Sequence, residues 1–132
     1  MDLVILFALT AVIFLGIDAL GLNLLIKPVF DEQLGDWIVS PIRYAPAVAF
    51  YLFYAFALTY LVTQHHLSAP SYPQLILAAA IFGAACYGTY EFSNLATLER
   101  WSWRLVIVDT AWGTALTATS ATLALALTRA VT

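Results

Sequence analysis

Four long apolar stretches constrain this chain more than any other feature of its sequence. They cover residues 3–26, 45–62, 75–98 and 105–127. A helix needs about 20 residues to cross the hydrocarbon core of a bilayer, so all four are long enough to span it. Because unpaired backbone groups are costly in lipid, each stretch is predicted to be helical. The sequence therefore predicts an all-α, polytopic membrane protein in which four transmembrane helices form a bundle and a single domain, residues 1–132.

The composition favours lipid over water as the surroundings of this chain. Hydrophobic residues make up 63% of its 132 residues and charged residues only 10%, whereas a typical soluble domain is about 25% charged. A soluble chain this short and this apolar would expose large apolar patches and aggregate. The formal net charge is -3, and no basic patch could hold a phosphate backbone. The lipid bilayer is the predicted partner, and nucleic acid is not.

The connection between the first two stretches is the longest and the least apolar. Apolar residues recur in it at helical spacing: Phe30, Leu34, Trp37 and Ile38. This pattern predicts a short amphipathic helix that lies in the membrane interface between the first and second spans. Gly35 weakens the prediction, and an irregular loop is the alternative.

The basic residues indicate how the chain is oriented. Four of the five lie in the two connections on one side of the membrane: Lys27, Arg43, Arg100 and Arg104. Cytoplasmic loops carry an excess of Lys and Arg, so this side is predicted to face the cytoplasm. Both termini are then predicted to lie outside the cytoplasm.

Acidic residues inside the apolar stretches are the strongest candidates for function. Asp18, Glu91 and Asp109 lie at broadly similar depth, in the half of the bilayer nearer the basic connections. A carboxylate near the bilayer centre costs roughly 2.5–3.5 kcal/mol on insertion scales. The three are therefore expected to face one another, a cavity or a ligand, and some to be protonated or bound to a cation. Hydrogen bonding between helices is the alternative role.

Four neighbouring side chains are predicted to line a polar pocket together with these acids. Tyr87, Glu91 and Asn94 are spaced i, i+4, i+7 and share one helical face. Tyr51 falls near the same depth in the second stretch, and Trp112 lies one helical turn beyond the acid of the fourth. The complete set of predicted ligand-binding residues is Asp18, Tyr51, Tyr87, Glu91, Asn94, Asp109 and Trp112.

Other chemistries are not indicated by the sequence. His65 and His66 are adjacent, so their side chains would point apart on a helix, and no third ligand is evident; no metal site is predicted. Cys86, the single cysteine, is predicted to be a small buried apolar residue. No nucleotide-binding loop or nucleophile elbow occurs, and the sequence specifies no cofactor.

Two motifs in the second half of the chain resemble a known family. Residues 87–98, YGTYEFSNLATL, followed by Trp101, and residues 109–114, DTAWGT, are similar to small four-helix bacterial inner-membrane proteins of unknown function. Members usually carry Asp where this chain has Glu91 and Thr where it has Ser93, and the first change alters the reach of the carboxylate. The resemblance implies a multi-pass protein of the bacterial inner, or cytoplasmic, membrane, and it implies no reaction. Shorter matches lie at Asp18-Ala19-Leu20 and Phe50-Tyr51.

Four functions are open on this evidence. The first is a membrane protein whose carboxylate-lined pocket binds a lipid-like small molecule or a cation. The second is a membrane-embedded lipid-modifying enzyme that uses the acids as general acid and base, so whether the chain is an enzyme stays open. The third is a structural or assembly subunit of a larger membrane complex. The fourth is a small proton-coupled transporter, for which a homodimer is expected because four spans are few for a monomeric pathway.

Overall fold

The fold is entirely helical in the part of the chain that the structure describes. The computed structural model describes residues 1–38 and 43–132, and 88% of the described residues are helical. No strand occurs in either range, which confirms the predicted all-α fold. The α-helices, in chain order, are α1 (Asp2–Gly21), α2 (Lys27–Leu34), α3 (Tyr44–Leu61), α4 (Tyr72–Thr97) and α5 (Trp103–Val131).

Most of these helices are suited to a membrane by length and hydropathy. Among the described residues, three helical stretches are long and apolar enough to cross a bilayer: Asp2–Trp37, Tyr44–His66 and Tyr72–Thr97. Helix α5, which contains the predicted fourth span, is not among these three stretches. It has 29 residues and is less apolar, because polar side chains lie among its eleven buried residues. It packs against α1, α2 and α4. Helix α5 is therefore the inner helix of the bundle, and the polar side chains on its buried face are shielded by protein.

The first helical stretch continues well past the end of α1. A π-helical segment, Leu22–Ile26, joins α1 to α2 without a break. Pro28 lies in the first turn of α2, where a missing backbone N–H costs little. Gly35 ends α2 with a φ of 36°, a conformation that favours glycine, and begins a short 3-10 turn. The predicted helix between the first two spans is thus present as α2, while residues 39–42 of that connection lie outside the described residues.

Helix α2 folds over the short connection between α4 and α5. Its buried side chains Val29 and Leu34 pack in one apolar cluster with Trp101, Leu105 and Val106. We call this end of the bundle, formed by α2 and the α4–α5 connection, the capped end. The opposite end, which carries the α3–α4 connection, is the uncapped end.

Ion pairs join α2 to the α4–α5 connection at the surface of the capped end. The Arg104 guanidinium donates to both carboxylate oxygens of Glu32, at 2.9 and 3.0 Å. Arg100 donates to the Asp36 carboxylate and lies 4.9 Å above the Trp37 ring. The hydrogen bond to Asp36 raises the pKa of Arg100 above its usual value. Exposed pairs of this kind contribute little stability, so apolar packing is the main attachment of α2.

Helix α4 approaches α5 very closely along a stripe of small residues. A Cβ atom at Gly83 would lie 2.7 Å from the backbone oxygen of Gly113, so the two helices nearly touch there. Buried residues of α4 at four-residue spacing include Leu75, Ala79 and Gly83. The prediction that Cys86 is buried was wrong, because Cys86 lies off this stripe and is exposed.

Candidate functional site

Glu91 on α4 is completely buried beneath the capped end. Its Oε1 accepts a hydrogen bond from the indole Nε1 of Trp101 at 2.9 Å. Trp101 itself is only 8% exposed and belongs to the α4–α5 connection. Its ring packs edge-on against Phe30 of α2 and Tyr90 of α4, each at a centroid distance of 5.7 Å. The position of the indole on Glu91 therefore depends on α2 lying over the connection.

Asp18 on α1 has a very similar arrangement. It is 3% exposed, and its Oδ1 accepts a hydrogen bond from the indole Nε1 of Trp112 at 3.1 Å. The Trp112 ring lies against Gly21, where an added Cβ would come within 2.0 Å of it. A glycine at this position is what allows the indole of α5 to reach α1. The Tyr51 hydroxyl approaches the same carboxyl group from α3.

Asp109 on α5 lies near both of the other acids. It is 8% exposed, its carboxyl group directly neighbours that of Glu91, and Asp18 lies farther away. We call Asp18, Glu91 and Asp109 the carboxyl cluster. None of these three acids takes part in an ion pair within residues 1–38 and 43–132, so no described basic side chain neutralises the cluster.

Two carboxyl oxygens in the cluster are buried without a hydrogen-bond partner among the described residues. They are Asp18 Oδ2 and Glu91 Oε2. In each carboxyl group, the other oxygen accepts a hydrogen bond from a tryptophan indole. An ionised carboxylate can accept about four hydrogen bonds, and each indole supplies one. A buried unsatisfied acceptor costs about 1–3 kcal/mol, and more when it is charged. These two oxygens are therefore the atoms of the cluster that are open to a proton or a further donor.

A group of aromatic side chains lies next to the cluster on the side of the uncapped end. The Tyr87 ring covers Gly113, where an added Cβ would come within 2.1 Å of it. The Tyr87 ring packs edge-on against the Tyr54 ring with 6.2 Å between their centroids, and the centroids of the Tyr54 and Phe14 rings are 5.0 Å apart. The Tyr54 hydroxyl forms a hydrogen bond with Oγ1 of Thr117 at 2.8 Å. This group links the carboxyl cluster to the middle of α5.

A comparison with known families identifies the relatives of this chain. A family model described as a predicted membrane protein, DUF2177, matches residues 3–126. The chain belongs to the DUF2177 family. Membership confirms the resemblance found in the sequence and makes the chain a membrane protein, which lies in a lipid bilayer. No curated protein and no solved structure matches it.

In this DUF2177 protein, the structure brings together most of the residues that the sequence predicts for the site. Asn94 is half-buried and neighbours Tyr90, one turn closer to the capped end than Glu91. The remaining predicted residues are neighbours of one another around the carboxyl cluster: Asp18, Tyr51, Tyr87, Glu91, Asp109 and Trp112.

Sequence reasoning missed two residues of this DUF2177 site, Trp101 and Thr117. Trp101 follows Glu91 by ten positions across a non-helical connection, so no helical spacing relates them. Thr117 did carry a signal, because it lies eight positions after Asp109 and hence on the same face of α5. Its hydrogen bond with Tyr54 could not be predicted, because the sequence does not specify which helix packs beside α3.

Two surface grooves in the described part of the DUF2177 chain lie away from the carboxyl cluster. One groove of about 200 Å³ lies between α1 and α3, and another of about 250 Å³ between α4 and α5. The first is lined by Leu3, Val4, Phe7, Phe56, Thr59 and Tyr60. The described ranges contain no group of three His, Cys, Asp or Glu side chains arranged to hold a metal ion.

Proposed function

We propose that this protein binds a lipid-like molecule at its carboxyl cluster. The observation that carries the proposal is the pair of buried, unpartnered oxygens, Asp18 Oδ2 and Glu91 Oε2. Each indole holds one oxygen of its carboxyl group, which leaves the second, buried oxygen without a hydrogen-bond donor among the described residues. A ligand that donates to these oxygens would remove the cost of leaving them unsatisfied.

The charge of the cluster favours a ligand with a cationic or strongly donating group. Three carboxyl groups lie together with no described basic partner, so an ammonium or hydroxyl group would be stabilised there. The depth of the cluster limits the ligand further. Asp18 precedes Lys27 by nine residues, about 13 Å along a helix. We therefore propose an amphiphile with a small alcohol or amine group carried on an apolar body.

The test is to identify small molecules that co-purify with the protein. Wild-type protein, Glu91→Gln and Asp18→Asn would be purified in a mild detergent, and their extracts compared by mass spectrometry. Glu99→Gln is the matched control, because Glu99 is exposed in the α4–α5 connection. We expect an apolar alcohol or amine in the wild-type and Glu99→Gln extracts that falls by about tenfold in the cluster variants, about 1.4 kcal/mol of binding. Identical extracts from folded Glu91→Gln and wild-type protein would refute the proposal.

We also propose that the capped end faces the cytoplasm. Lys27, Arg43, Arg100 and Arg104 lie in the helix ends and connections at this end, and Arg129 lies at the other. An excess of Lys and Arg in short loops is the feature that best predicts the cytoplasmic side of an inner-membrane protein. On this proposal, the ligand enters the cluster from the cytoplasmic leaflet of a bacterial inner membrane.

A further inference from the structure

Buried polar residues continue from the carboxyl cluster along the inner face of α5 towards the uncapped end. They lie at Asp109, Thr117, Ser120 and Thr128, and the three hydroxyl residues are 0% exposed. Their spacing of eight, three and eight residues keeps them on one helical face. At about 1.5 Å per residue, the line from Asp109 to Thr128 is about 28 Å long, close to the ~30 Å thickness of the hydrocarbon core.

Tyrosine side chains lie along the first interval of this line. Thr117 lies two turns beyond Asp109, and the Tyr87 ring occupies the space over Gly113 between them. Tyr54 then reaches Thr117 with a direct hydrogen bond of 2.8 Å. A tyrosine hydroxyl group can both donate and accept a proton, so the Tyr54 hydroxyl extends the polar line beside Thr117.

Two buried hydroxyl groups nearer the uncapped end, one on this line and one on α3, have no structural explanation in the fold. Ser120 Oγ on α5 and Thr59 Oγ1 on α3 are buried, at 0% and 2% exposure, and have no hydrogen-bond partner among the described residues. A hydroxyl group that only stabilises a membrane helix normally bonds back to a carbonyl of that helix. Thr10 does this at 2.7 Å. Thr128, at the far end of the line, also donates to its own helix at 2.7 Å, and its oxygen can still accept a hydrogen bond. Ser120 and Thr59 do not bond back in this way, so their hydroxyl groups are left available to water or to a moving proton.

We infer that the bundle conducts protons between its carboxyl cluster and its uncapped end along this line of hydroxyl groups. Each hydroxyl oxygen accepts a proton and releases the one it held, and water molecules bridge the intervals that side chains do not span. One proton leaves the aqueous phase on one side and one enters the phase on the other. The carboxyl groups accept and return protons at the capped end. This activity does not require the ligand of the proposed function.

The experiment measures proton flux into liposomes that contain the purified full-length protein. A pH-sensitive dye is enclosed in the vesicles, and a potassium diffusion potential set with valinomycin drives protons inward. The test variants are Ser120→Ala and Thr59→Val, which remove the two unpartnered hydroxyl groups. Thr119→Val is the matched control, because Thr119 is exposed on the outer face of α5.

We expect wild-type protein and Thr119→Val to raise the flux well above that of protein-free vesicles. Ser120→Ala and Thr59→Val should lower it by about tenfold or more, because a positioned proton-transfer group contributes about 10²–10⁴ in rate. Neither variant removes a hydrogen bond between described groups, so both should unfold at wild-type detergent concentrations or higher. A loss of flux with normal stability is a result that a purely structural role would not produce.

Two outcomes would overturn the inference. The first is a wild-type flux equal to that of protein-free vesicles. The second is unchanged flux in whichever of Ser120→Ala and Thr59→Val folds normally. Ligand co-purification is measured separately and is expected to be unchanged in Ser120→Ala. Failure of proton conduction and failure of ligand binding would therefore be distinguished.

Discussion

Replacing Gly113 by alanine would test how closely α4 and α5 pack beside the carboxyl cluster. An added Cβ would lie 2.1 Å from the Tyr87 ring, whereas ordinary contact begins at 3.4 Å, so the ring or the helix must move. Tyr54 packs edge-on against the same ring and restricts that movement. Overpacking of this kind typically costs about 1–3 kcal/mol. We expect Gly113→Ala to lower the free energy of unfolding by this amount, although alanine has the higher helix propensity.

The assay is reversible unfolding by sodium dodecyl sulfate in mixed micelles, followed by circular dichroism. Gly16→Ala is the matched control, because a Cβ at Gly16 on α1 would meet nothing within 4 Å. The control should be as stable as the wild type, or more stable by up to about 1 kcal/mol from helix propensity. The difference between the two alanine variants then measures the packing of α4 on α5.

A second substitution identifies the Tyr87 ring as the source of the loss. In a Tyr87→Ala background the clash is absent, so adding Gly113→Ala should cost little. The coupling between the two substitutions should be about 0.5–3 kcal/mol, as for other residues in contact. If Gly113→Ala were as stable as Gly16→Ala, the two helices could not be packed this closely. The described placement of Tyr87 beside the cluster would then be wrong.

Two further predictions follow from the site and from the orientation. Trp101→Phe removes the donor to Glu91 and should lower the free energy of unfolding by about 1–3 kcal/mol, because both buried carboxyl oxygens then lack a partner. Trp103→Phe, at an indole that is 62% exposed, is the control, and equal stability of the two variants would contradict the assigned hydrogen bond. Alkaline phosphatase fused after Thr132 should be active and green fluorescent protein fused there dark, because the uncapped end is proposed to lie outside the cytoplasm. The reverse pattern of activities would contradict the orientation.

Much of the fold and the carboxyl cluster could be predicted because lipid penalises charge so strongly. An acid within an apolar stretch is conspicuous, and counting residues at about 1.5 Å each placed Asp18, Glu91 and Asp109 at similar depth. The i, i+4 spacing also placed Tyr87 on the same face as Glu91. These inferences use only the geometry of single helices, which the sequence determines well.

The arrangement of the helices around one another could not be predicted in the same way. The Trp101 indole that donates to Glu91 also packs against Phe30 of α2. Phe30 lies 71 positions earlier in the chain, so this contact forms only when α2 folds back over the connection. Hydropathy could not show that α5 is the inner helix, because it measures the apolar content of a helix and not its neighbours. The wrong expectation for Cys86 has the same cause, since an apolar run does not say which side of a helix meets lipid.

The inner position of α5 has a consequence for how the chain enters the membrane. Helices are synthesised in chain order, so α1, α3 and α4 precede α5. Alone, α5 would expose Asp109 to lipid at a cost of roughly 2.5–3.5 kcal/mol, whereas contacts with α1 and α4 shelter it. Integration of the last helix is therefore coupled to folding. A chain with a misplaced first helix would leave the Trp112 indole without its acceptor Asp18, and α5 would lose part of the protein surface that shelters Asp109 from lipid.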